Sequence, residues 1–208
     1  MTDQREKNRM DRAKTRKVVN IIIAVMVFCA WFYMMTSGKN GGLMATGLWS
    51  LKFFTTLSNL FEGCVSLYLV FGKNKTLAEK LKFYAAIYVG VTFVVVVAFL
   101  GSIYGYRSMF VGPNLWFHLI VPLAAIAEDV IFSEWKPSGK DCLYAAAGVL
   151  IYAVFYLGNI AVNGYRGNDW YAIFAFGIPI GIGIFSAIVL LAIGLGFLIR
   201  KLSLAFTK

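Results

Sequence analysis

The chain has 208 residues, 60% hydrophobic and 14% charged, with a formal net charge of +10 and a mean hydropathy of +0.72. A water-soluble domain of this size needs more polar surface, which excludes a soluble enzyme or binding module, and the apolar residues run in long blocks without the alternation of a membrane barrel. The basic residues gather at the ends of those blocks, where they set topology and meet anionic headgroups, so the charge points to membrane lipids as partners and not to nucleic acid.

Residues 1–17 are polar and rich in Arg and Lys, and read as a cytoplasmic tail that is disordered or interfacial. The first span covers 18–36. Its apolar run of about 19 residues exceeds a signal-peptide core and no small-x-small site follows it, so a retained anchor is expected. A Gly-rich loop, 37–50, carries Leu43, Met44, Leu48 and Trp49 and is expected to lie partly in the interface. The second span is 51–71, followed by a lysine-rich loop at 72–82, and the third is 83–103. After a loop at 104–114 comes the fourth, 115–135, and after a turn at 136–141 the fifth, 142–162. A long sixth span, 170–199, contains Pro179 as a candidate kink, and a short basic tail, 201–208, closes the chain. The expected architecture is an all-α polytopic bundle of about six transmembrane helices, one domain over 18–200, without an internal repeat. Sixteen of the 20 Lys and Arg residues fall on the side of the two termini, which places both termini in the cytoplasm of a multi-pass cell-membrane protein. Cys29, Cys64 and Cys142 have no metal-ligand spacing and read as small buried hydrophobes. No metal or organic cofactor is expected.

Ionisable groups inside spans are costly and therefore candidates for function. They are Glu62 in the second span and His118, Glu128 and Asp129 in the fourth; His118 is the single histidine of the chain. At 100° per residue, Thr55, Ser58, Asn59 and Glu62 share an arc of about 100° on the second span, a polar stripe that should face the bundle interior. Such a stripe also suits interhelical hydrogen bonding alone. Glu62, near mid-membrane, is expected to be protonated or hydrogen-bonded, and could orient a neighbour of His118. Asp129 is expected to reach partly towards the interface. His118 lies about 6 Å inside the outer end of its span, and Thr55 is similarly shallow in its own. Shared depth on one side is what a hydroxyl nucleophile and its general base require. Pro122 removes a backbone hydrogen bond in the fourth span and should leave a carbonyl near His118 unpaired. Arg107 and Arg166, on outer loops rich in Tyr and Trp, could hold the carboxylate of an amphiphilic substrate, although aromatics at this level are first of all interface anchors.

The segment from Lys52 through Phe53, Phe54, Thr55, Thr56, Leu57, Ser58 and Asn59 to Leu60, together with the run from His118 to Pro122, resembles the androgen-induced membrane hydrolase family and its bacterial integral-membrane relatives. A third element, Asp169-Trp170-Tyr171, is similar to that family's aromatic motif before the last span, with Ala172 standing where the family has proline. The resemblance implies a multispan hydrolase of lipid esters, in particular fatty acid esters of hydroxy fatty acids. It also implies Thr55 as nucleophile and His118 as base. Thr56 is the adjacent rival to Thr55, and Ser58, Asn59 or Asn114 would stabilise the oxyanion. Two other readings compete. A small transporter or channel would carry polar groups through to the cytoplasmic side. A non-catalytic sensor or assembly protein would use small residues such as Gly177 and Gly181 as a packing face.

Overall fold

The protein is described by a computed structural model covering residues 2–36 and 47–206. Six helices are long and apolar enough to cross a membrane, and among the described residues there is no strand. They are α1 (Thr2–Thr36), α2 (Phe54–Phe71), α3 (Lys75–Tyr104), α4 (Pro113–Phe132), α5 (Gly139–Asn163) and α6 (Ile178–Phe206). The expected all-α membrane bundle is what the chain forms. Leu43 and Met44, expected at the interface, lie outside the described residues; Leu48 and Trp49 are in a 3₁₀ turn, Gly47–Lys52, and are exposed.

Helix boundaries follow local chemistry more closely than hydropathy. Asn74 caps α3, its side-chain oxygen accepting from the Leu77 amide at 3.0 Å, so the helix begins eight residues before the expected span and carries Lys82 inside it. Ser138 and Asp141 form a capping box that starts α5. The expected kink at Pro179 does not occur. Gly177 takes a φ of +97° and Pro179 falls in the first turn of α6, where its missing N–H costs nothing. The sixth span therefore starts at Ile178, and Trp170 and Tyr171 belong to a folded connection over residues 164–177. The basic N-terminal segment, expected to be disordered or interfacial, is helical from Thr2 and continuous with the first span.

α3 is the centre of the bundle, packed on α2, α4 and α6; α1 closes one flank against α2 and α4, and α5 leans on α6. One apolar core joins α3, α4, α5 and α6 through Phe83, Ile87, Val130, Val149 and Ile199, and a second joins α1 and α4 through Ile23, Val27, Phe117 and Val121. Two glycines permit close helix–helix approaches. A Cβ on Gly63 would sit 2.9 Å from Val27 Cγ1, and one on Gly196 would sit 3.2 Å from the Cys142 backbone. Outward faces of α5 and α6 carry Val154, Phe155, Ile178 and Leu190 exposed, as lipid-facing surfaces do. Cys142 is buried as expected; Cys29 and Cys64 are exposed, the correction being that their helix faces point out of the bundle.

Candidate functional site

The N-terminus of α2 meets the 164–177 connection at the face opposite the chain's N-terminus. Phe53 is extended (φ −89°, ψ 133°) and offers no side-chain cap, so the first amides of α2 need other partners. The Tyr171 hydroxyl accepts from the Phe54 amide at 2.7 Å. Its ring packs edge-on against Phe53 and Tyr152 and tilted against Tyr156. Burial, then the neighbouring Tyr152, hold the Tyr171 phenol well above the ordinary tyrosine value, so it stays neutral. Tyr171 is itself oriented by Asp169, whose carboxylate accepts from the Ile173 and Phe174 amides at 2.9 and 2.8 Å and from the Tyr156 hydroxyl. The residue after Tyr171, Ala172, has a φ of +53°. Proline is fixed near −65°, so this backbone cannot carry the proline of the resembling motif.

Thr55 and Thr56, in the first turn of α2, line a cavity of about 240 Å³ together with Asn114, His118, Trp170 and Tyr171, with Met34, Leu100 and Met109 as apolar walls. Thr55 and His118 thus share one cavity, although no hydrogen bond joins them. The Thr55 hydroxyl makes none among the described residues. His118 is buried, and its Nδ1–H donates to the Met109 carbonyl at 2.7 Å. A carbonyl can only accept, so the proton sits on Nδ1 and the Nε2 lone pair is left as an acceptor. Thr55, Leu100 and Tyr171 also border a narrower cavity of about 50 Å³ deeper in the bundle, walled by Val91, Val95, Phe99, Val149 and Phe185. Polar side chains around the larger cavity, with an apolar cavity next to it, suit an ester that carries an acyl chain.

The break expected at Pro122 takes a definite form. Residues Trp116–Ile120 make a π turn in which the Val121 amide bonds to the Trp116 carbonyl. In that register the Phe117 carbonyl would be paired with residue 122, and proline has no N–H to give. The Asn59 side chain fills the gap, donating to the Phe117 carbonyl at 3.1 Å and to the Thr55 carbonyl at 2.8 Å. Both its amide hydrogens are spent on backbone, so Asn59 positions the His118 turn and does not serve as an oxyanion donor. Ser58 pairs with Thr92 at 3.1 Å and faces α3, away from the His118 cavity. Asn114 does line that cavity, with one amide hydrogen donated to the Ser108 carbonyl at 3.1 Å. Arg107 and Arg166 are exposed and border none of these cavities.

Glu62 belongs elsewhere. It is ion-paired with Lys82 and accepts from Ser66 at 3.1 Å, so it is hydrogen-bonded as expected but does not orient a neighbour of His118. Lys82, fully buried, also lies 3.6 Å from Glu128. Arg16 donates to Glu128 at 2.7 Å and to Glu79 at 3.0 Å, Asn20 reaches Glu128 at 2.8 Å, and Ser133 reaches Glu79 at 3.1 Å. Asp129 is 1% exposed within this layer, not at the interface. The layer clamps α1, α2, α3 and α4 near the N-terminal face. Hydropathy alone puts Arg16 in a tail and Lys82 in a loop; the Asn74 cap is the signal that draws Lys82 into a helix. No family of known proteins has a model that matches this chain, and no curated protein or solved structure matches it.

Proposed function

We propose that this protein is an intramembrane hydrolase of lipid esters, with Thr55 as nucleophile and His118 as general base. The observation that carries this reading is the shared cavity: an unpaired threonine hydroxyl and an imidazole locked in the Nδ1–H tautomer, with a smaller apolar cavity bordering the same threonine. In the acylation step His118 Nε2 takes the Thr55 proton as Oγ1 attacks the ester carbonyl. The tetrahedral oxyanion would be met by Asn114, the one of the three candidate donors that lines the cavity among the described residues. Collapse breaks the bond to the alcohol, which leaves with the proton from His118. Water, activated by the same Nε2, then attacks the acyl-threonine, releasing fatty acid and restoring the hydroxyl. The acyl chain would occupy the channel below Thr55, which suits fatty acid esters of hydroxy fatty acids or similar lipids as substrates.

Thr55 is favoured over Thr56 because it alone borders both cavities. A transport path would need open polar groups running on from the cavity to the N-terminal face. Beyond Asn59, Glu62 and Glu128 are instead tied into ion pairs. With Lys82 buried and Arg16 largely so, the remaining basic residues still favour the N-terminal face, and on that bias we place both termini in the cytoplasm and the cavity towards the outside of the cell membrane. The test is labelling of purified protein by a fluorophosphonate probe, beside Thr55→Ala, Thr56→Ala and His118→Ala. Label is expected on the unaltered chain and on Thr56→Ala only. Equal labelling of all four proteins would remove the assignment.

A further inference from the structure

Lys52, rather than Arg107, is the cation that packs on the aromatic wall of the cavity. Its Nζ lies 5.0 Å from the centre of the Trp170 ring, 5.1 Å from Phe53 and 5.4 Å from Trp49, and two of those rings, Phe53 and Trp170, also wall the Thr55–His118 cavity. The backbone beneath it is pinned: the Tyr152 hydroxyl donates to the Lys52 carbonyl at 2.7 Å and receives the Trp170 indole N–H at 3.1 Å. Among the described residues no carboxylate pairs with this ammonium. The one acid at this end of the bundle, Asp169, is turned inward and consumed by Tyr156 and two backbone amides. Lys52, Arg107 and Arg166 belong to this end of the bundle, so the described residues there carry an excess of positive charge.

An ammonium framed by aromatic faces is held by their quadrupoles but keeps its N–H donors for a ligand. We infer that Lys52 binds the free acid group, carboxylate or phosphate, of an amphiphilic ester, with the acid on the alcohol portion and the acyl chain running past Thr55 into the apolar channel. This rests on the hydrolase reading for the position of the ester, but the acid-binding step stands without turnover. Lys52 is three residues from Thr55 in the chain, so an acid held at the rim fixes the depth at which the ester bond sits. It also gives the site a preference for anionic over capped, neutral esters.

The test uses full-length protein in neutral detergent and two synthetic probes: a long-chain acyl ester of a hydroxy acid, and the same ester with its acid capped as the primary amide. Lys52→Met should lower kcat/KM for the free acid about tenfold, the size of a charge-assisted hydrogen bond, while changing the amide less than about twofold. Lys52→Arg should restore most of the preference. Equal losses on both probes overturn the inference. So does a Lys52→Met protein that loses only its partition onto anionic vesicles and keeps the acid-to-amide ratio, because the cation then serves a lipid headgroup. A parallel binding measurement, quenching of tryptophan fluorescence by the acid probe in a Thr55→Ala background, separates the two readings. Quenching that Lys52→Met weakens supports acid recognition even if no probe is hydrolysed, and quenching indifferent to that substitution defeats it.

Discussion

The two ends of the bundle handle polar groups in opposite ways. Near the N-terminal face, Glu62, Glu79, Glu128, Arg16 and Lys82 lie within the helices and bind one another, with Asn20, Ser66 and Ser133 supplying further hydrogen bonds. At the opposite face the side chains that line the Thr55–His118 cavity are uncharged, and the Thr55 hydroxyl and the Nε2 of His118 are left without a hydrogen-bond partner among the described residues. Burying a charge is tolerable when its partners are fixed in place, and the result is a clamp. An acceptor and a hydroxyl kept free beside a cavity do nothing for the fold, and are what chemistry can use. Partnership, more than burial, separates structure from candidate function here.

That contrast is broken most directly by exchanging the effects of substitution at the two ends. Thr55→Ala should lower ester hydrolysis about 10⁴-fold while leaving the thermal midpoint in detergent unchanged, because no hydrogen bond is lost. A parallel drop in both would make Thr55 a packing residue. Lys82→Met should do the reverse. Removing one partner leaves Glu62 and Glu128 facing each other's charge in the core, at a cost of about 3–5 kcal/mol, read as a large fall in thermal midpoint or loss of the monodisperse species. The double substitution Glu62→Gln with Lys82→Met should recover part of that loss; a double variant as unstable as the single one would refute the ion-pair account.

How much of this could be read in the sequence depends on the scale of the signal. Six spans follow from apolar blocks alone, since a helix that must cross lipid has to satisfy its backbone internally. The inward polar stripe of α2 was legible because helical geometry fixes the angles among Ser58, Asn59 and Glu62, and all three are buried. The pairing of Glu62 was not, because hydropathy ends the third span at the first lysine and so puts Lys82 in a loop. Likewise, position 170 reads as the start of a span from its aromatic content, yet Asp169 bends the chain there by taking two amides of the following turn. Pattern reading captures the regular repeat; it loses side chains that act on distant backbone, such as Asn59 on Phe117 and Tyr171 on Phe54.

Those two distant contacts give the next predictions in size. Asn59→Leu leaves the Phe117 carbonyl buried without a donor, for a loss of about 1–3 kcal/mol. It also frees the turn that carries His118, so hydrolysis should fall further than stability predicts; an unchanged rate per folded molecule would show that the turn holds without it. Tyr171→Phe removes the acceptor for the Phe54 amide and should cost about 1 kcal/mol. The pH dependence has a definite sign. The folded chain holds the Tyr171 proton well above its ordinary value near 10, chiefly through burial. The unfolded chain therefore releases it first, and stability present below pH 10 is lost as pH rises past it. Tyr171→Phe should flatten that alkaline decline in a thermal-midpoint titration, and a decline of unchanged slope would assign it to another group.

The smallest expected effect lies next door and bears on what the cavity wall can tolerate. Ala172 occupies the left-handed region at φ +53°, a conformation that costs a Cβ-bearing residue about 1 kcal/mol and glycine almost nothing. Ala172→Gly removes that strain but adds backbone freedom to the unfolded chain, which offsets part of the gain, so the net stabilisation should be a few tenths of a kcal/mol. Ala172→Pro cannot adopt the angle and would also lose the Ala172 amide bond to the Asp169 carbonyl at 3.0 Å. Its main damage should fall on activity, since the turn it distorts holds Tyr171 against the first amide of α2. A proline variant with normal hydrolysis and a higher thermal midpoint would mean that the left-handed turn is not what sets Tyr171, and that the wall of the cavity is fixed by Asp169 alone.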